Sequence, residues 1–190
     1  MNLLLFFLHY LYKKINLETK TLNDFKQIRK DQQLFFEKLK TEGISSRIDH
    51  LKNLKRLINK RESKIIEALN ADLGKPSFES YTSEILMVQK ELDLFIKNLK
   101  SWAAPKRVSG SLLNFPSKDY ILYEPYGKVL MISPWNYPFQ LALIPLIGAV
   151  ATGNTVVLKP SESAPHTTKV IAELLSEIFP KNWVQVIEGD

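Results

Sequence analysis

The chain has 190 residues, 45% of them hydrophobic and 24% charged, enough to bury a core in one large domain or two small ones. It contains no cysteine, which excludes disulfides, thiolate zinc sites and any thiol nucleophile from these residues, and no metal site is expected. The net charge of +6 is local: residues 1–76 hold 16 Lys and Arg against 9 Asp and Glu, while residues 77–190 hold 10 against 11.

The amino terminus, MNLLLFFLHYLYKK, carries an apolar run of about ten residues, well short of the roughly 20 that a membrane-spanning helix needs. Lys13 and Lys14 follow the run and no Ala-x-Ala pattern appears, the reverse of a secretory signal. Residues 1–22 therefore read as an apolar lead-in: an amphipathic helix, a membrane-surface contact or a stretch upstream of the natural product. A cytoplasmic location is expected.

Apolar residues Phe25, Ile28, Leu34, Phe35 and Leu39 give an imperfect helix over 24–40 that stops at Gly43. A stronger helix follows, capped by Ser45 or Ser46. Ile48, Leu51, Leu54, Leu57, Ile58, Ile65, Ile66 and Leu69 form one apolar stripe, ended by Gly74 and Pro76. The interleaved Lys52, Lys55, Arg56, Lys60, Arg61 and Lys64, interrupted by Glu62 and Glu67, read as a solvated face, and no nucleic-acid partner is expected. A third helix over 78–102 places Tyr81, Ile85, Val88, Leu92, Phe95, Ile96 and Leu99 on one side and Glu84, Lys90, Glu91 and Lys97 elsewhere. The aromatic spacing is that of core packing, and the second and third helices are expected to pack antiparallel.

Residues 103–117, with Pro105, Gly110 and Pro116, read as a linker, and the periodicity then becomes extended. Residues 120–123 form a strand, Pro125, Tyr126 and Gly127 a turn, and residues 128–133 a strand suited to burial on both faces. Residues 139–152 are apolar nearly all round, a buried helix closing at Gly153 and Asn154. The strand 155–158, the helix 165–179 and the strand 184–187 complete a β-α-β-α-β order, which implies parallel strands. The fold class is α/β: amino-terminal helices, then the first half of a doubly wound parallel sheet whose last strand is an open edge. No G-x-G-x-x-G fingerprint occurs.

Two clusters fall at the carboxyl ends of the first two parallel strands, where open α/β sheets bind ligands. SPWNYPF covers residues 133–139 and LKPSE covers 158–162. Asn136, on a turn braced by Pro134 and Pro138, is an amide donor able to meet a developing negative oxygen. Lys159 and Glu162 offer a cation and a carboxylate able to hold the two hydroxyls of a ribose. Taken singly, an Asn in a turn is more often structural and a Lys-x-x-Glu pair more often a surface ion pair.

The run PWNYPFQLALIPLIGAVATGNTVVLKPSE resembles the start of the nucleotide-binding domain of the aldehyde dehydrogenase superfamily. WNYPF and KPSE point to its class 3 branch, which includes fatty-aldehyde dehydrogenases, and the likeness extends from about Phe25 to Asp190, the amino-terminal half. The resemblance implies NAD(P)-dependent oxidation of aldehydes to carboxylic acids. Asn136 would be the side-chain half of the oxyanion hole, where loss of a donor costs about 2.7 to 4 kcal/mol in the transition state. Ser133, Pro134 and Trp135 would line the nicotinamide path of NAD or NADP, Lys159 and Glu162 would hold the adenosine ribose, and Tyr137 would face the substrate or pack. Tyr120 to Glu124 matches a subunit-pairing strand, which implies a homodimer. The boundaries that follow are 1–22 for the lead-in, 23–117 for the helical segment and linker, 118–127 for the pairing strand and 128–190 for the first half of the NAD-binding domain. The family's cysteine nucleophile and water-activating glutamate find no match, so this polypeptide alone is expected to be inactive. The alternative is a non-catalytic remnant that binds nucleotide weakly or docks on an intact paralogue.

Overall fold

A computed structural model describes residues 24–110, 113 and 116–189; the apolar lead-in lies outside them. Helix α1 (residues 24–41) is followed by α2 (Ile44–Lys60), α3 (Glu62–Leu73), the short α4 (Ser77–Ser80), a π-helical turn (Tyr81–Ile85) and α5 (Leu86–Trp102). The remainder runs β1 (Lys106–Val108), β2 (Asp119–Ile121), β3 (Lys128–Ile132), α6 (Pro138–Ala151), β4 (Thr155–Lys159), α7 (Pro165–Ile178) and β5 (Val184–Val186). Strands β3, β4 and β5 form a parallel sheet in that order, with Lys128 opposite Thr155, Ile132 opposite Lys159 and Val156 opposite Val184.

Three layers result. Helices α6 and α7 lie on the sheet, α2 and α5 pack on α6, and α3 packs on α7. The apolar stripe of α2 and α3 (Leu51, Leu54, Ile58, Ile65, Leu69) joins Leu92 of α5, Leu143 and Leu146 of α6, Leu158 of β4 and Leu174 of α7 in one core. Helices α2 and α5 run antiparallel as expected: Lys55 bonds Asp93 while Asn59 accepts from Gln89 Nε2 at 2.7 Å, the partners rising on one helix and falling on the other. Helix α1 reaches the sheet through buried Gln32, which donates to the Val156 carbonyl at 2.8 Å. No described helix is long and apolar enough to cross a membrane.

Four expectations need correction. The second helix is two, broken at Arg61 (φ −109°, ψ 18°), and its amino-terminal cap is Gly43; Ser45 and Ser46 lie inside the first turn, Ser46 donating to Glu42 at 3.3 Å. The break lets α3 meet α7, where Arg61 pairs with Glu177 and Lys64 with Glu173, so part of the basic face is neutralised within the chain. The third helix starts at Ser77 and contains the π-turn, and Glu84, expected away from the apolar side, is fully buried: it lies three residues after Tyr81 and four before Val88, on the same face. Residues 103–117 hold a strand, β1, which pairs antiparallel with β2 through Lys106 opposite Ile121 and Val108 opposite Asp119. Its Lys-Arg-Val sequence carries no alternation that would reveal it.

The last correction concerns β3, which is not buried on both faces: Leu130 is 66% and Ile132 75% exposed, alternating with half-buried Val129 and Met131. A parallel strand is covered twice only where helices lie on both sides. Among the described residues one helical layer covers it.

Candidate functional site

The two crossover helices begin alike. Each has proline at its first position, Pro138 and Pro165, where the missing N–H costs nothing because no intrahelical partner exists for it. Neither has a side-chain cap of its own. The next two N–H groups are taken by one carboxylate from the helical segment. Glu84 accepts from Phe139 (2.8 Å) and Gln140 (3.2 Å), and Asp72 accepts from His166 (3.0 Å) and Thr167 (2.7 Å). The fourth donor in each closes a helical bond, Leu141 to the Tyr137 carbonyl and Thr168 to the Ala164 carbonyl, both at 2.9 Å. The partial positive charge at both helix starts is thus met internally. Neither start has a free amide left to cradle a phosphate, consistent with the absence of a glycine-rich loop. The far end of α6 is closed by Arg47, whose Nη1 donates to the Ala151 carbonyl at 2.8 Å; burial lowers its pKa from the ordinary arginine value.

Between β3 and α6 the ladder continues one residue, with Ser133 N–H donating to the Lys159 carbonyl at 3.1 Å. Ser133 is buried, and its hydroxyl oxygen has no hydrogen-bond partner. Pro134, Trp135 and Asn136 then leave the core exposed, Trp135 at 56%. Tyr137 has φ 60° and ψ 55°, the one left-handed non-glycine conformation among the described residues. That conformation costs an L-residue roughly 1–2 kcal/mol and persists where surroundings enforce it. Here Pro138 disfavours right-handed helix at the preceding residue, and the Lys75 ammonium sits 3.9 Å from the Tyr137 ring centroid. Lys75 in turn is ion-paired with Glu84. Trp135, Asn136 and Tyr137 line a cavity of about 320 Å³ with Leu73 at the end of α3, Gly74, Lys75 and Pro76 of the turn that follows, and Glu79 of α4.

At the neighbouring strand end, Lys159 and Glu162 are bonded to each other at 2.8 Å, with the carboxylate side chain 54% exposed. The hydrogen bond from Lys159, more than the backbone contact or net charge, holds the Glu162 carboxyl below its ordinary pKa. This pair does not line the cavity that contains Asn136. The structure therefore brings Trp135, Asn136 and Tyr137 together with the helical segment, buries Ser133 beneath them, and sets Lys159 and Glu162 on the adjacent loop of the same rim. Sequence reasoning missed Lys75, Glu84, Asp72 and Arg47. Their only local signal is that Lys75 lies between Gly74 and Pro76 in a helix-terminating turn, since the groups they satisfy are distant in sequence.

A helical segment clamped onto a parallel α/β unit, with two polar loops on one rim, defines the class. Residues 14–190 match the model of the aldehyde dehydrogenase family. The chain is 46% identical over 168 residues to the 4,4'-diaponeurosporen-aldehyde dehydrogenase of Staphylococcus aureus, spanning 88% of this chain and 37% of that one. It is 45% identical over 150 residues to aldehyde dehydrogenase family 3 member B3 of Mus musculus, spanning 79% and 31%. A solved structure of substrate-bound Staphylococcus aureus AldH superposes with a TM-score of 0.83 at 46% identity, over 87% of this chain and 36% of that one. The chain belongs to the aldehyde dehydrogenase family, with relatives in its class 3 branch, and spans about a third of the length of those it matches. Its architecture is the amino-terminal portion of that fold.

Proposed function

We propose that this chain supplies the oxyanion-binding amide and the ribose-binding pair for NAD- or NADP-dependent oxidation of aldehydes to carboxylic acids. The observation that carries this reading is that residues 133–136 and 159–162 leave adjacent, hydrogen-bonded strands at one rim. The exposed Asn136 amide, on a turn flanked by Pro134 and Pro138, would donate to the aldehyde oxygen as it gains negative charge. Lys159 and Glu162 would exchange their mutual ion pair for bonds to the ribose hydroxyls, one donating and the other accepting. Glu162 repels a 2′-phosphate and so favours NAD. The unmet hydrogen bond of buried Ser133 is of the kind that a ligand or an ordered water satisfies. The bound nicotinamide would accept the hydride. The thiol nucleophile is not among these residues: the chain has no cysteine.

The same reading gives the whole protein a cytoplasmic location and a homodimer paired along residues 118–127, where Tyr120, Leu122 and Tyr123 are 50%, 65% and 70% exposed. The test is titration of the chain with NAD and with AMP. Lys159→Met removes a charge-assisted hydrogen bond worth about 1.5–3 kcal/mol, so binding should weaken roughly 10- to 100-fold. Equal binding by the variant and the parent chain, or none by either, overturns the proposal. Incubated with NAD and a long-chain aldehyde, the chain alone should show no turnover; turnover sensitive to Asn136→Ala would refute the assignment of the nucleophile to other residues.

A further inference from the structure

We propose that Lys75 and Glu84 are positioning residues that set the direction of the Asn136 amide; this rests on the role proposed above for Asn136. The turn 134–137 does little to hold itself. Trp135, Asn136 and Tyr137 are all exposed, and no described side chain of the turn caps α6. Its geometry is set at its carboxyl end, by the left-handed backbone of Tyr137 and the first amides of α6.

Both anchors come from upstream. Glu84, fully buried on the π-turn, accepts from Phe139 and Gln140 and so fixes the axis on which α6 begins. Lys75, whose side chain is 11% exposed, is paired with Glu84 and lies over the Tyr137 ring, so one cation links the anion that holds the helix to the residue that bends the chain. A buried charge pair with each member satisfied has few alternative arrangements, and directional uniqueness is the property an oxyanion donor needs. The π-turn supports the same conclusion. Buried Glu84 lies within it, and such turns often occur at functional sites.

The experiment is backbone 15N relaxation on the 190-residue chain, comparing Glu84→Gln, Lys75→Met and Lys75→Arg with the parent. In the parent, the amides of Trp135, Asn136 and Tyr137 should have order parameters near the rigid value of about 0.85, and in Glu84→Gln and Lys75→Met they should fall below about 0.6. His166 and Thr167, capped by Asp72, should stay rigid in all variants, and Lys75→Arg, which keeps the cation over Tyr137, should restore the turn. A turn that stays rigid in the folded variants overturns the proposal, as does a loss of order shared equally with His166 and Thr167, which would mark a general structural role. If a single variant fails to fold, the neutral pair Lys75→Met/Glu84→Gln, which leaves no unpaired charge, decides between the same outcomes. These readouts need no nucleotide, so failure of the cofactor reading would appear in the Lys159→Met titration and not here.

Discussion

The turn before α6 is held from more than fifty residues upstream by a buried ion pair, whereas the loop before α7 is held largely by its own residues. In the second loop, Ser163 N–H donates to Ser161 Oγ, Ala164 N–H and the Thr168 hydroxyl donate to the Ser161 carbonyl, all at 3.2 Å, and Lys159 bonds Glu162. Its one distant anchor, Asp72, is partly exposed and forms no ion pair among the described residues. Two helices that start with the same local problem, proline followed by two unmet amides, are thus capped at different depths. The first solution gives a fixed direction at Asn136. The second leaves a solvated pair at Lys159 and Glu162 that can exchange partners.

If that contrast is right, the two caps must differ in energetic weight. Glu84→Ala leaves Lys75 unpaired in a nearly closed site and frees one buried and one half-buried amide, so stability in urea is expected to fall by about 3–5 kcal/mol. A loss no larger than that of an ordinary surface cap would erase the distinction between the two starts. Asp72→Ala removes a cap that water can partly replace, and a loss of about 0.5–2 kcal/mol is expected. The smallest effect belongs to the exposed pair: Glu162→Gln should leave the melting temperature at neutral pH unchanged, because exposed ion pairs contribute little. The pH dependence sharpens this point. The Glu162 pKa is depressed, so its bond to Lys159 is complete above the ordinary glutamate value of about 4.3 and is lost as pH falls through the lower folded value. A carboxyl 13C titration that places Glu162 at or above the ordinary value would break the assignment of the pair.

Much of this arrangement can be read locally. The stripe from Ile48 to Leu69, the all-round apolarity of α6 and the Val-rich β4 each announce an element, and Pro134, Pro138 and Gly153 mark where they turn. WNYPF and KPSE lie on adjacent strand ends because one crossover separates them. What failed to show lacks a periodic signal: three residues of β1, the break at Arg61, and the π-turn at Tyr81–Ile85.

Short-range chemistry, namely hydrophobic spacing, proline geometry and the turn-forming residues, was sufficient by itself to determine an α/β chain with Asn136, Lys159 and Glu162 on loops at strand ends, while the likeness to aldehyde dehydrogenases rested on the wording of WNYPF and KPSE. Tertiary structure alone decided which charges are buried, which amides they satisfy and which face of β3 stays open. Those outcomes depend on groups dozens of residues apart, such as Glu84 with Phe139 and Asp72 with Thr167, whose attraction is realised only after α3, α5, α6 and α7 have packed and excluded the water that would otherwise satisfy them.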